Sequence, residues 1–369
     1  MLVYIHVPFC GRRCSYCDFA IAVRRETPSA AFADAFEREW AFRQAHAAWA
    51  ESPLVETIYF GGGTPSRLDP SVLLRIITAI AATRSVVPGA EITLEVNPDD
   101  VTPERVEAWL GAGVNRVSLG AQSFDPGVLA WMHRTHAAEQ IAPALRDLRR
   151  GGIGNISLDL IYALPGFLRR DWERDLGEAL ALEPEHLSLY GLTVERGTPL
   201  GKWTARGAVE PLPDEGAADQ YLRAHAALGS AGYEHYEVSN AARPGWRAVH
   251  NAGYWRRAPY LGFGPSAHSG VGPHRWWNIR EWEAYRRAGE QGQDLVGGCE
   301  TLSEEQQLLE RRYLGLRTDS GVVLELVPEP LRAQWLAEGW AILNAGRVRL
   351  TAEGWLRLDA LVATLPAGS

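Results

Sequence analysis

Cys10, Cys14 and Cys17 fall within eight residues in the form C-x3-C-x2-C. Thiolates at this spacing, on a loop leaving a first strand, can converge on one metal centre. The intervening Gly11-Arg12-Arg13 sets positive charge beside the first two, which favours the thiolate form. Three readings suit such a group: structural cysteines, a zinc site completed by Asp18, a histidine or Cys299, and an iron–sulfur cluster. Thiols clustered in a loop that bears Pro8 and Gly11 fit a core poorly, and the string lacks the repeated CxxC pairs that favour zinc. An iron–sulfur cluster usually takes four cysteines, so three would leave one iron open to a small molecule. Cys299 stands apart and reads as a buried, reduced thiol.

The elements that would carry this loop follow a regular rhythm. Apolar, β-rich runs predict strands at 2–7, 57–60, 91–96, 116–119, 156–161 and 187–190. Amphipathic stretches predict helices at 31–48, 71–82, 103–110, 137–150 and 171–182. Six β–α alternations imply a parallel sheet with helices outside it, and six units rather than eight imply an incomplete TIM-like (β/α)6 barrel. Several of these strands end in Gly, Pro or polar residues, on the carboxyl edge where such folds build sites. A first domain is thus expected over 1–200. A linker (202–213), a helix (214–232) and an aromatic-rich stretch that reads as irregular with short strands (233–277) make a smaller α+β region over 201–300. Helices at 303–314, 329–338 and 352–365 around a strand at 348–350 give a winged-helix-like C-terminal domain over 301–369.

The 369 residues carry 37 Lys and Arg against 45 Asp and Glu, a net charge of −8. A protein that neutralises many phosphates is usually basic, so a general nucleic-acid binder is disfavoured. No apolar stretch approaches the ~18–20 residues of a membrane span. The opening MLVYIHVPFCGRRC lacks the basic n-region of a secretory signal. A cytoplasmic location is expected, where disulfides are rare. The 14 tryptophans could serve the core or a large planar ligand.

CGRRCSYC after a first strand resembles the cluster motif of radical S-adenosylmethionine proteins. HVPFCGRRCSYCDF, YFGGGTPS, LEVNPD, SLGAQSF, SLDLIYALPG, LSLYGLTVERGTPL and HNAGYW resemble, in order along the chain, segments of the oxygen-independent coproporphyrinogen III oxidase family. The resemblance implies a [4Fe-4S] cluster on Cys10, Cys14 and Cys17, whose fourth iron takes the amino and carboxylate groups of S-adenosyl-L-methionine. It assigns contacts with that cofactor to Tyr4, Tyr16, Gly62, Gly63, Thr64, Glu95, Gln122, Arg134, Asp159 and Gly191. Glycines would let the backbone approach the methionine moiety. Glu95, Gln122 and Asp159, near strand ends, suit the ribose or the ammonium. Arg134 suits the carboxylate.

Two departures bear on activity. The oxidases carry a further cysteine two positions beyond the third, where this chain has Phe19, and a long extension where this chain has nine residues before Cys10. Both count against oxidative decarboxylation of coproporphyrinogen III, which stays the alternative activity. His250-Asn251-Ala252-Gly253-Tyr254-Trp255 resembles instead the HNxxYW motif of a heme-chaperone branch of the family. That likeness implies heme as cargo, heme-acceptor proteins as partners (membrane-associated respiratory proteins among them), and room for a homodimer. Histidine nitrogen and tyrosinate oxygen both ligate heme iron, Trp255 could stack on the porphyrin, and Arg256 and Arg257 could meet its propionates. A helical segment would set His250 and Tyr254 on one face, although Gly253 opposes helix. His235, His268 and His274 are further candidate ligands.

Overall fold

The computed structural model describes residues 1–366, so the last three residues of the expected C-terminal domain lie outside the described residues. Six parallel strands stand side by side: β1 (Leu2–Val7), β2 (Leu54–Gly62), β3 (Ser85–Val96), β4 (Arg116–Gln122), β5 (Asn155–Tyr162) and β6 (His186–Gly191). All six expected strands are present, most of them longer than expected. Beyond β6, the short strands β7 (Glu234–Glu237) and β8 (Asn240–Ala242) add antiparallel. Beyond β1, β9 (Tyr260–Phe263) adds a seventh parallel strand. It is followed by antiparallel β10 (His268–Val271), β11 (His274–Asn278) and β12 (Val296–Thr301). The result is one twelve-stranded sheet. The stretch 233–277, expected to be irregular with short strands, carries the short strands β7 to β11 and one helix, Val249–Trp255. An open barrel leaves two edges of unpaired backbone groups, and this stretch covers both.

The strands alternate with period two, so successive side chains face opposite ways. Ile5, Phe60, Leu94, Leu119, Leu158 and Leu189 face outward into the main hydrophobic core beneath the helices. Their neighbours Tyr59, Glu95, Ser118, Asp159 and Ser188 face inward. The barrel interior is consequently polar. Several surrounding helices open on a capping side chain followed by proline, whose fixed φ and missing N–H suit a first helical turn. Asp69 accepts from Ser71 N ahead of Pro70–Thr83, and Thr102 from Arg105 N ahead of Pro103–Gly111. Thr198 likewise caps Pro199–Ala205, which corrects the linker expected from residue 202. The helix expected over 31–48 stops at Phe42 and continues as a short 3-10 turn.

The C-terminal region builds a separate buried cluster around Leu316, Trp335, Val348 and Trp355. Helix Glu304–Leu316, strand β13 (Val322–Val323), helix Glu329–Ala337 and the hairpin β14 (Ala341–Asn344) to β15 (Arg347–Leu350) follow in winged-helix order. The last expected helix is two short ones, Ala352–Trp355 and Leu358–Ala363. No helix among the described residues is long and apolar enough to cross a membrane.

Candidate cofactor cavity and the motif helix

The carboxyl ends of β2 to β6 and the loop after β1 enclose a cavity of about 450 Å³. Cys10 ends a two-residue strand, Phe9–Cys10, that pairs with Ala22–Val23 and so closes the cysteine loop. Cys10, Cys14 and Cys17 all line the cavity. Among the described residues, no three His, Cys, Asp or Glu side chains gather round a single-ion position. A cubane asks for another arrangement, in which each thiolate would bind a different iron.

Burial raises the Cys10 thiol and pushes Cys17 up to about 11. The side chains of Arg12 and Arg13 are exposed; the cations that favour the Cys10 thiolate are Arg134 and Arg67. At Cys10 the expected thiolate-promoting role of Gly11-Arg12-Arg13 is corrected accordingly, because desolvation outweighs charges that solvent screens.

Arg134 ties the loop to the strand ends. Its Nη2 donates to Asn97 Oδ1 at 2.6 Å and Gly120 O at 2.9 Å, and its Nη1 reaches Cys14 Sγ at 3.7 Å. Its buried Nε has no partner. Glu95 ends β3, where Oε1 accepts from Tyr59 OH at 2.9 Å and Oε2 from Gly62 N at 3.0 Å. Asp159 accepts from Ser118 Oγ at 2.8 Å and Ser157 Oγ at 3.1 Å. Burial raises both carboxyls, Glu95 to about 7, and neither forms an ion pair among the described residues. Two hydrogen-bonded carboxyls, an unpartnered guanidinium nitrogen and three thiols fit the donors and acceptors of a [4Fe-4S] cluster with an ammonium- and ribose-bearing ligand.

Tyr16, Gly62, Gly63, Thr64, Gln122 and Gly191 also line the cavity. Gln122 and His133, both lining it, hold φ of 68° and 61°, a left-handed backbone that non-glycine residues adopt at a cost. Gly62 has φ of 115°, and a Cβ there would lie 2.6 Å from the His6 ring. This glycine therefore serves the packing of β2 against β1 first. Thr64 Oγ1 donates to Cys10 Sγ at 3.5 Å. Tyr4 does not line the cavity: its hydroxyl bonds His6 Nδ1 at 3.1 Å, and its ring stacks on Tyr59. Tyr59, Asn97, Ser118, His133 and Tyr190 line the cavity without having been singled out. The inward parity of Tyr59, Ser118 and Tyr190 was the available signal.

The HNAGYW segment forms the helix Val249–Trp255, which plugs the amino-terminal end of the barrel. Glu91, low on β3, accepts from Val249 N at 2.8 Å and His250 N at 2.9 Å, placing a carboxylate at the positive helix end. Gly253 opposes helix in isolation but lets this one approach β1; a Cβ would lie 2.4 Å from Leu2 Cδ1. His250 and Tyr254 do share a face, but that face is turned inward. His250 is 1% exposed, with Nδ1 at 2.7 Å from Thr57 Oγ1 and Nε2 at 2.9 Å from Tyr254 OH. Burial lowers its imidazole to about 3. Both ring nitrogens are engaged, so an iron would have to displace Thr57 or Tyr254 to reach His250.

Tyr254 instead edges a smaller pocket beside Tyr4, His268 and Phe19. Trp255 points the other way, under the Arg317 guanidinium at 4.3 Å. Of the other histidines, His235 is half-buried against His225 at 2.8 Å, and His274 is exposed beside Thr301. Cys299 is exposed on the edge strand β12, not buried.

The Radical SAM superfamily profile matches residues 4–179. The chain is 36% identical to Heme chaperone HemW of Mycobacterium tuberculosis, over 98% of this chain and 94% of that protein. It is 38% identical to Heme chaperone HemW of Synechocystis over 88% and 80%. The chain belongs to the HemW family. A mitochondrial radical S-adenosyl methionine domain-containing protein 1 from Bos taurus is 35% identical over 98% of this chain and 86% of its own. The fold is shared with coproporphyrinogen III oxidase (HemN) of Escherichia coli at a TM-score of 0.80 and 22% identity, covering 98% of this chain and 89% of that one. Within the HemW family, this chain sets its cysteine loop and its HNAGYW helix at opposite ends of one barrel.

Proposed function

We propose that this protein is a cytoplasmic heme chaperone that binds heme and passes it to acceptor proteins. On this reading Cys10, Cys14 and Cys17 hold a [4Fe-4S] cluster, and S-adenosyl-L-methionine binds beside it. The observation that carries the reading is kinship over nearly the whole chain with proteins named heme chaperones. The domain division that goes with it is a radical SAM core over 1–200, an α+β region over 201–300 and a winged-helix-like domain over 301–369.

Bound there, the cluster would supply an open iron site and a source of electrons. The chain's own residues do the rest. Arg134 fixes the cysteine loop to the ends of β3 and β4, Glu95 and Asp159 accept from the ammonium and ribose, and Gln122 and Gly191 border the adenosine. Tyr4 acts from behind, holding Tyr59. The test is anaerobic reconstitution, hemin titration and transfer to an apo-acceptor. About one hemin per chain and cluster-dependent transfer are expected. Sustained conversion of coproporphyrinogen III to protoporphyrinogen IX, with no transfer, would overturn the reading in favour of the oxidase.

A further inference from the structure

The outer face of the motif helix borders a second large cavity, of about 550 Å³, whose other wall is the C-terminal region. Its charge departs from the rest of the molecule. The chain is net −8, yet Arg247, Arg256, Arg257, Arg311 and Arg347 line this groove against one carboxylate, Asp319. Three of the five arginines are committed. Arg247 pairs with Glu234 and Asp319, Arg257 with Glu310, and Arg347 donates to the Ser320 and Gly321 carbonyls. Arg256 and Arg311 are exposed and make no side-chain hydrogen bond or ion pair among the described residues.

Between the charges lies apolar surface. Val249 on one wall is 44% exposed and Val323 on the other 39%, with Ala252 and Leu326 beside them. Trp255 lines the groove, and its buried indole Nε1 has no partner. A volume in the range of small-ligand sites, apolar walls and two unengaged guanidinium groups select a flat, apolar ligand that carries carboxylates. Such guanidinium groups bind carboxylates in a planar fork.

We infer that this groove, between the outer face of Val249–Trp255 and the C-terminal region, is the cargo site for the porphyrin dicarboxylate, with Arg256 and Arg311 engaging its propionates. The inference rests on the heme-chaperone reading above. It turns the motif round: His250 and Tyr254 hold the helix in the barrel, and Val249, Ala252, Trp255 and Arg256 meet the cargo.

The experiment is hemin titration of the full-length, cluster-reconstituted protein and of its Arg256→Glu/Arg311→Glu variant, repeated with hemin dimethyl ester. Each lost charge-assisted contact should weaken hemin binding about tenfold, and both together about a hundredfold. The ester should bind the two proteins within about threefold of each other, because it has no carboxylates to lose. Iron content and melting temperature check that the variant is folded. Val323→Glu tests the opposite wall and should also weaken hemin binding. Equal hemin affinity in wild type and in both variants would overturn this inference and leave the chaperone reading standing. No hemin binding by the wild type would remove both. Binding abolished by Tyr254→Phe with His268→Ala, yet retained after charge reversal, would put the cargo in the pocket beside Phe19 and overturn the groove.

Discussion

The two ends of this barrel are made from the same alternating strands, yet one end is open and the other consumed. At the carboxyl end, Glu95, Ser118 and Asp159 border a cavity in which the two carboxyls form no ion pair among the described residues. One layer down, most comparable polar groups already have work inside the protein, with Thr93 Oγ1 and Arg116 Nε the exceptions that make no hydrogen bond among the described residues. Glu91 caps the motif helix, Thr57 meets His250, and Ser157 and Tyr236 engage the two nitrogens of His186. Inward polarity alone therefore does not mark a site. What separates the ends is whether another segment of the chain has inserted to satisfy those groups.

The sharpest division between the ends is all-or-none. Cys10→Ala, Cys14→Ala and Cys17→Ala should each abolish the reconstituted cluster, whereas Cys299→Ala, out on β12, should keep it. Iron and sulfide analysis with EPR reads this directly. Cluster loss in Cys299→Ala would put a fourth thiol at the cluster and close the open iron.

At the plugged end the expected effects are on stability. His250→Ala removes a buried ring and leaves Thr57 unpaired, at a cost of about 2–4 kcal/mol. Gly253→Ala forces a methyl group into Leu2 and should cost about 1–3 kcal/mol. Denaturant unfolding measures both. If His250→Ala left stability unchanged and altered the Soret band of bound hemin, His250 would be a ligand after all.

How far the sequence reached follows the same division. The cysteine loop and the six strands were legible because local motifs and apolar runs are properties of neighbouring residues, whereas the cofactor contacts followed from the family resemblance and covered only part of the cavity lining. The twelve-stranded sheet was not, since β9 pairs with β1 across more than half the chain and nothing local announces it. His250 and Tyr254 were correctly placed on one face, but which way that face turns depends on Gly253 meeting Leu2, a tertiary contact. The helix Pro199–Ala205 was missed although Thr198-Pro199 carries the same cap-and-proline signal as Thr102-Pro103. Cys299 was misjudged because a lone cysteine is usually buried, and an edge strand reverses that.

A smaller effect separates the ends through pH. Burial raises Glu95 from 4.5 to about 7. The folded protein thus holds a proton that the unfolded chain releases near 4.5. This contribution to stability is complete below 4.5 and is lost as pH rises through 7. A cationic ligand pairs with the ionised form, so S-adenosyl-L-methionine affinity should increase by roughly tenfold from pH 6 to pH 8. Calorimetry at the two pH values, with Glu95→Gln as the flat control, tests this. A profile for wild type as flat as that of Glu95→Gln would mean that Glu95 does not face the cation.

The smallest change probes the residue that belongs to both ends. Tyr59 donates to Glu95 at 2.9 Å, while its ring packs 4.9 Å from that of His250. Tyr59→Phe keeps the ring and deletes one hydrogen bond, so the plug should retain its stability while the cavity loses about 0.5–1.5 kcal/mol of cofactor binding, roughly two- to thirteenfold. The deleted bond also favours the carboxylate, and its loss should move the pH midpoint of cofactor binding upward. Tyr59→Leu removes the ring as well and should add a stability loss of about 2–4 kcal/mol from the plugged end. If Tyr59→Phe destabilised the fold as much as Tyr59→Leu, the hydroxyl would be holding the barrel together, and the two ends would be one cooperative polar core.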